Sequence, residues 1–149
     1  MTVSPREAAA GALQRYCIRV PSEKPIATIG LEVEFPPELE VAAIEAPAGW
    51  RGAAHKDRRG RIASAGWEGG KIPPRSALGF GVVARNPAAP ATLVWKAIQK
   101  YEDSSEVHWV GPAEAQFPAA VTRVEHQRSE SPPRTSECSR EVTPSSGEH

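Results

Sequence analysis

Ala27-Thr28-Ile29-Gly30-Leu31-Glu32-Val33-Glu34-Phe35 is the stretch from which the fold reads. Its odd-numbered positions are apolar, and Thr28, Gly30, Glu32 and Glu34 between them are not. Alternation of this kind is the mark of a β-strand with one face in a core and one in water. Pro36-Pro37 ends it, because proline cannot donate to a ladder. The same period recurs on either side. Tyr16, Ile18 and Val20 alternate with Arg15, Cys17 and Arg19 up to Pro21, and Leu78, Phe80, Val82 and Ala84 run to Asn86-Pro87. Leu93, Trp95 and Ala97 lead on towards Tyr101. Shorter strands are predicted at Val41–Ala46, Arg61–Trp67 and Val107–Val110. Pro47-Ala48-Gly49, Arg59-Gly60, Gly69-Gly70 and Pro73-Pro74 supply the turns between them.

A helix over Arg6–Gln14 is the rival reading for one segment, since Glu7, three alanines and Leu13 have helical propensity and only Gly11 opposes it. No other segment sustains a 3.6-residue period. The predicted fold is all-β, a single antiparallel β-sandwich of about seven to nine strands over residues 1–126. Residues 127–149 are nearly all Ser, Glu, Arg, Pro and Thr. They offer too little apolar surface to offset ordering entropy, and are predicted to be a disordered polar tail.

The 149 residues carry 18 Lys plus Arg against 18 Asp plus Glu, a formal net charge of zero. That excludes the basic excess of a nucleic-acid binder and of a polybasic membrane-surface protein. No apolar run reaches the ~20 residues of a membrane span. No charged leader with an apolar stretch opens the sequence, so no signal peptide is read from it. Two cysteines are too few for a disulfide framework; Cys17 reads as a small strand residue and Cys138 as part of the tail, with no bond between them expected.

Motifs for chemistry are sparse. His55, His108, His126 and His149 are not at metal-ligand spacing, and neither CxxC nor HExxH occurs. The single methionine is Met1, and Cys17 has no cysteine-to-histidine loop after it, which excludes a blue-copper site. Gly79-Phe80-Gly81 lies in a strand pattern and lacks the third glycine of a dinucleotide loop. No nucleophile elbow is present, and no enzyme activity is predicted. Glu32 and Glu34 share one strand face and read as its solvated side. Lys56-Asp57-Arg58-Arg59-Gly60 reads as a hairpin tip, and alternation places His108 in solvent on the face opposite Trp109. Trp50, Trp67 and Trp95 read as core. Trp109, at a strand end, is the tryptophan best placed to line an open site with its N–H exposed.

Several segments taken in order resemble one family. They are Thr2-Val3-Ser4-Pro5, Arg19-Val20-Pro21-Ser22-Glu23-Lys24, Val33-Glu34-Phe35-Pro36 and Pro47-Ala48-Gly49-Trp50. The series goes on with Trp67-Glu68-Gly69-Gly70-Lys71-Ile72-Pro73-Pro74, Val94 to Tyr101, Val107-His108-Trp109 and Pro118 to Thr122. The pattern resembles the YcnI-like copper-binding proteins of the bacterial cell envelope, across nearly all of the proposed domain. The resemblance implies an exported, non-catalytic β-sandwich that binds Cu(II) through a histidine brace and serves copper trafficking or homeostasis. Its partners would be the copper ion and another envelope copper protein. In that family the first residue of the mature chain is a histidine that chelates copper with its amine and imidazole. Carried over by position, the metal-ligating carboxylate is Glu23 and the adjacent tryptophan is Trp109. Cu(II) favours such nitrogen and oxygen donors, and the amine must lose its proton to bind.

The sequence departs from the pattern at its start, where Met1 takes the position after the brace histidine. One expectation is that Met1 is an internal codon, with a leader and a histidine encoded upstream and the protein in the periplasm or cell envelope. The other is a cytoplasmic copy without a brace, a metal-free interaction module.

Overall fold

The long strands form where apolar residues recur at every second position, and the pairing of the strands decides what lies beside Glu23. The computed structural model describes residues 1–126, Cys138, and the backbone of residues 141–142. Apart from these, the expected disordered tail lies outside the described residues. Twelve strands are found among them and no helix. Nine follow one another by hydrogen bonding in the order β1-β3-β8-β5-β7-β4-β9-β11-β2, nearly closing on themselves around one core. These are β1 (Thr2–Ser4), β2 (Glu7–Ala9), β3 (Leu13–Pro21), β4 (Thr28–Glu34), β5 (Glu40–Glu45), β7 (Ile62–Ile72), β8 (Ala77–Arg85), β9 (Ala91–Tyr101) and β11 (Ala120–Glu125). The short strands β6 (Arg51–Lys56), β10 (Glu106–Trp109) and β12 (Glu141–Val142) attach to β7, β9 and β8.

The expected strands are present, and their alternation is the alternation of burial. Tyr16, Ile18 and Val20 of β3, Phe80, Val82 and Ala84 of β8, and Leu93 and Trp95 of β9 are fully enclosed. Aromatic rings join the layers. Tyr16 meets Trp95 at 5.1 Å between centroids, and Phe80 meets Trp50 at 5.1 Å and Trp67 at 5.3 Å. Two enclosed indole N–H groups have acceptors: Trp67 Nε1 donates to the Glu45 carbonyl and Trp95 Nε1 to Thr122 Oγ1, both at 3.1 Å. No buried side-chain nitrogen or oxygen among the described residues lacks a partner. The tip Lys56 to Gly60 turns the β6–β7 hairpin, with Gly60 at φ 81° where a side chain would be strained.

Three readings are corrected, the rival one among them. The Arg6–Gln14 segment is not helical: β2 occupies Glu7–Ala9, Gly11 turns at φ 74°, and β3 begins at Leu13. β2 finds its partner in β11 through a parallel register, Arg123 to Glu7, and tertiary pairing overrides local propensity. The defining strand is not regular at its start either. The ladders of β4 with both β7 and β9 shift between Thr28 and Gly30. This bulge turns Ile29 outward, 37% exposed, and Thr28 inward, 0% exposed.

The third correction concerns the cysteines. Cys17 and Cys138 form a disulfide across 121 residues. Cys17 lies in β3 opposite Gly81 of β8. Cys138 is itself buried, and its carbonyl lies over Gly79, where any Cβ would collide with it. Three residues on, β12 pairs with β8, Glu141 to Leu78 and Val142 to Ala77.

Candidate metal site

The register of the first two paired strands sets the geometry of the site. β1 runs antiparallel to β3 with Thr2 opposite Arg19 and Val3 opposite Ile18. Carried one step further, it brings Met1 opposite Val20, where β3 ends and the Ser22–Glu23 turn begins. The amine of Met1 and the carboxylate of Glu23 accordingly interact. Burial lowers the amine from 8.0 to about 6, and the negative charge of Glu23 opposes part of that shift. The amine thus gives up its proton more readily than an ordinary terminal amine, and Glu23 is exposed beside it.

The turn carrying Glu23 is held at its base from several sides. Ser22 N–H donates to the Ser76 carbonyl at 2.8 Å, and Arg75 N–H donates to the Ser22 carbonyl at 2.6 Å. Ser22 Oγ donates to the Ile26 carbonyl at 3.1 Å and lies 2.9 Å from Thr28 Oγ1. Gln99, wholly buried on β9, donates from Nε2 to the Pro21 carbonyl at 2.8 Å and to Thr28 Oγ1 at 2.7 Å. Its Oε1 accepts from Trp109 Nε1 at 2.9 Å. Trp109 is therefore joined to the Glu23 turn through one amide. Beside it Lys24 reaches over the Tyr101 ring at 4.6 Å and donates to Ser105 Oγ at 3.0 Å. Burial, and then the Glu23 carboxylate, raise the Tyr101 phenol above its ordinary value.

Trp109 differs from the sequence expectation. It is 6% exposed, packs edge-on against Phe117 at 5.3 Å, and its N–H is bonded to protein and not turned to solvent. The network of Ser22, Thr28 and Gln99 escaped the sequence reading. Its one signal was a glutamine at an inward position of the Leu93-Trp95-Ala97 series. The bulge hid Thr28.

The described histidines are exposed. His55 is exposed on β6, His108 is exposed and 3.1 Å from Glu106, and His126 is exposed. His149 lies outside the described residues. Among the described residues, no three His, Cys, Asp or Glu side chains form a group able to hold a metal ion. The residues present thus match in part the copper centre that the resemblance implies. A neutral amine and a carboxylate supply one nitrogen and one oxygen donor, which suit Cu(II), and an imidazole is not among them. Glu32 lies 3.2 Å from Lys100 and, with Glu34, faces solvent as expected.

The family model described as "Domain of unknown function (DUF1775)" matches residues 1–126. The chain belongs to the DUF1775 family. The matched residues include β1 through β11. Copper-binding protein CutI of Bacillus subtilis (strain 168) is 32% identical to this DUF1775 chain over 126 residues, 83% of its length. The chain spans about three fifths of CutI, 61%. In three dimensions the domain is similar to an uncharacterized protein from Nocardia farcinica with an immunoglobulin-like fold. That match has TM-score 0.70 and 26% identity, and covers 83% of this chain and 98% of the other. A cohesin module from a Clostridium perfringens glycoside hydrolase shares the fold at TM-score 0.55 and 11% identity, over 85% and 97% of the two chains. Of these relatives, CutI is named for copper binding and the Nocardia farcinica protein for its immunoglobulin-like fold.

Proposed function

We propose that this DUF1775 domain binds Cu(II) as cargo at the end of the sandwich where β1 begins. Its role in this reading is copper trafficking or homeostasis in the bacterial cell envelope. The observation that carries it is the β1–β3 register, which brings the start of the chain to Glu23. A residue ahead of Met1 comes opposite Pro21 in the same register, two positions from Glu23. A histidine there would bring its own amine together with the imidazole that the described residues do not bring to the site, the Met1 nitrogen then lying in a peptide bond. Glu23 then serves as the anionic oxygen donor. Trp109, fixed by Gln99, forms the apolar floor behind the turn that carries it. Relatedness to CutI supports copper as the cargo. The Cys17–Cys138 bond supports an envelope location, since such bonds persist in oxidising compartments. Another copper protein of the envelope is the proposed exchange partner.

The test is Cu(II) titration of protein made to begin with histidine ahead of Met1, followed by tryptophan fluorescence. Stoichiometric quenching is expected, weakened at least about tenfold by Glu23→Ala, the loss of one charged ligand. Equal affinity in the two proteins removes Glu23 from the site. The second reading, a metal-free interaction module, is favoured by the lack of a three-ligand group among the described residues. It predicts no quenching in either protein.

A further inference from the structure

The edge of β8 shows what the C-terminal segment does. β8 pairs with β3 along its whole length, but β5 covers its other edge only from Gly81 onward. The uncovered start, Ala77–Leu78, is taken by β12. Those two residues face Pro21 and Val20 of β3, and the next residue back, Ser76, accepts the Ser22 N–H. One short piece of β8 therefore holds the C-terminal segment on one edge and the Glu23 turn on the other. Besides the main chain itself, the bond from Cys138 to Cys17 ties that segment to the sandwich. Its seat is cut to fit: at Gly79 an added Cβ would collide with the Cys138 carbonyl and stand 2.9 Å from Cys17 Sγ.

We infer that the Cys17–Cys138 disulfide is a redox-controlled latch, which holds β12 on β8 and thereby fixes the turn that carries Glu23. An external dithiol opens it. The dithiol supplies two electrons and two protons, the Sγ–Sγ bond breaks to two thiols, and the reductant leaves as its own disulfide. Freed from its tether, β12 has two paired residues to hold it, too few for a stable strand. The start of β8 then loses its outer partner and the Glu23 turn loosens. The consequence for copper rests on the function proposed above: the oxidised form holds the ion and the reduced form releases it.

The test has two arms on the full chain. In the first, hydrogen exchange is followed at the amides of Ser22, Ala77 and Leu78 in the oxidised protein and after reduction by dithiothreitol. Exchange about tenfold faster or more is expected at these sites on reduction, as for a local opening, with core amides of β9 unchanged. Unchanged exchange at Ser22 overturns the latch. In the second, Cu(II) affinity is compared between the disulfide-bonded protein and Cys17→Ser/Cys138→Ser, both carrying the histidine ahead of Met1. Serines avoid reduction of Cu(II) by free thiols. An affinity about tenfold lower in the double variant supports the latch, and equal affinity overturns its control of the site. If the disulfide-bonded protein binds no copper, the function proposed above fails, and the exchange arm still decides the latch. Should the double variant not fold by far-ultraviolet circular dichroism, Gly79→Ala replaces it. That variant keeps both cysteines while crowding the seat, and is expected to speed exchange at Ser22 in the same direction.

Discussion

Gln99 sits at an inward position of β9 without solvent contact, and both ends of its amide are used. A leucine of similar size fills the space and leaves the Trp109 N–H and the Pro21 carbonyl without their partner. Gln99→Leu is expected to lose about 2–4 kcal/mol of stability, read by urea denaturation, because stranded buried polar groups bear their full desolvation cost. A loss under about 0.5 kcal/mol would show that water replaces the amide. At the opposite kind of site, the exposed Asp57 carboxylate accepts from the N–H groups of Arg59 at 2.8 Å and Arg61 at 3.1 Å. These bonds, Arg61 first, hold its carboxyl below 3.8. Its folded value lies under its unfolded one, so its contribution is complete above 3.8 and fades as pH falls through the folded value. An NMR titration of the Arg59 and Arg61 amides is expected to show a midpoint below 3.8. A midpoint at or above that value contradicts the capped tip.

The strand from Thr28 to Glu34 shows how far an element can be read from its letters. Period two located it, and it located most of the other long strands, because each has one face in the core. It failed where a single extra residue enters the ladder. The bulge at Thr28–Gly30 exchanges the inward and outward places of Thr28 and Ile29, and nothing in the local composition announces it. Ile29→Thr is therefore expected to cost less than about 0.5 kcal/mol. Leu31→Ala, two residues on and 1% exposed, is expected to cost about 2–5 kcal/mol in the same urea titration. Similar costs for both would restore the regular register. The short strands β1, β2, β6 and β11 were not legible: β1 and β2 have three residues each, and β6, exposed throughout, carries no apolar alternation. Of the candidate site, Glu23 and Trp109 were read from resemblance. The hydrogen-bonded frame that links them depends on Thr28, which the bulge concealed. The disulfide was illegible because Cys138 lies in a polar stretch with no apolar signal of contact.

Over the whole molecule, that disulfide closes a loop of 121 residues. Cross-linking so long a span restricts the unfolded chain, and Cys17→Ser/Cys138→Ser is expected to lose about 2–5 kcal/mol, measured by guanidinium denaturation. A loss near zero would mean that the unfolded chain is already compact around the same pair. The pairing of β2 with β11 has a similar reach. Glu7 near the start of the chain meets Arg123 near the end of the domain, in a parallel register that no hairpin can build. A ribosome that has released the first hundred residues has therefore made a domain still lacking its closing strand. Such a chain folds after synthesis, on the millisecond-to-second scale of sandwiches rich in distant contacts.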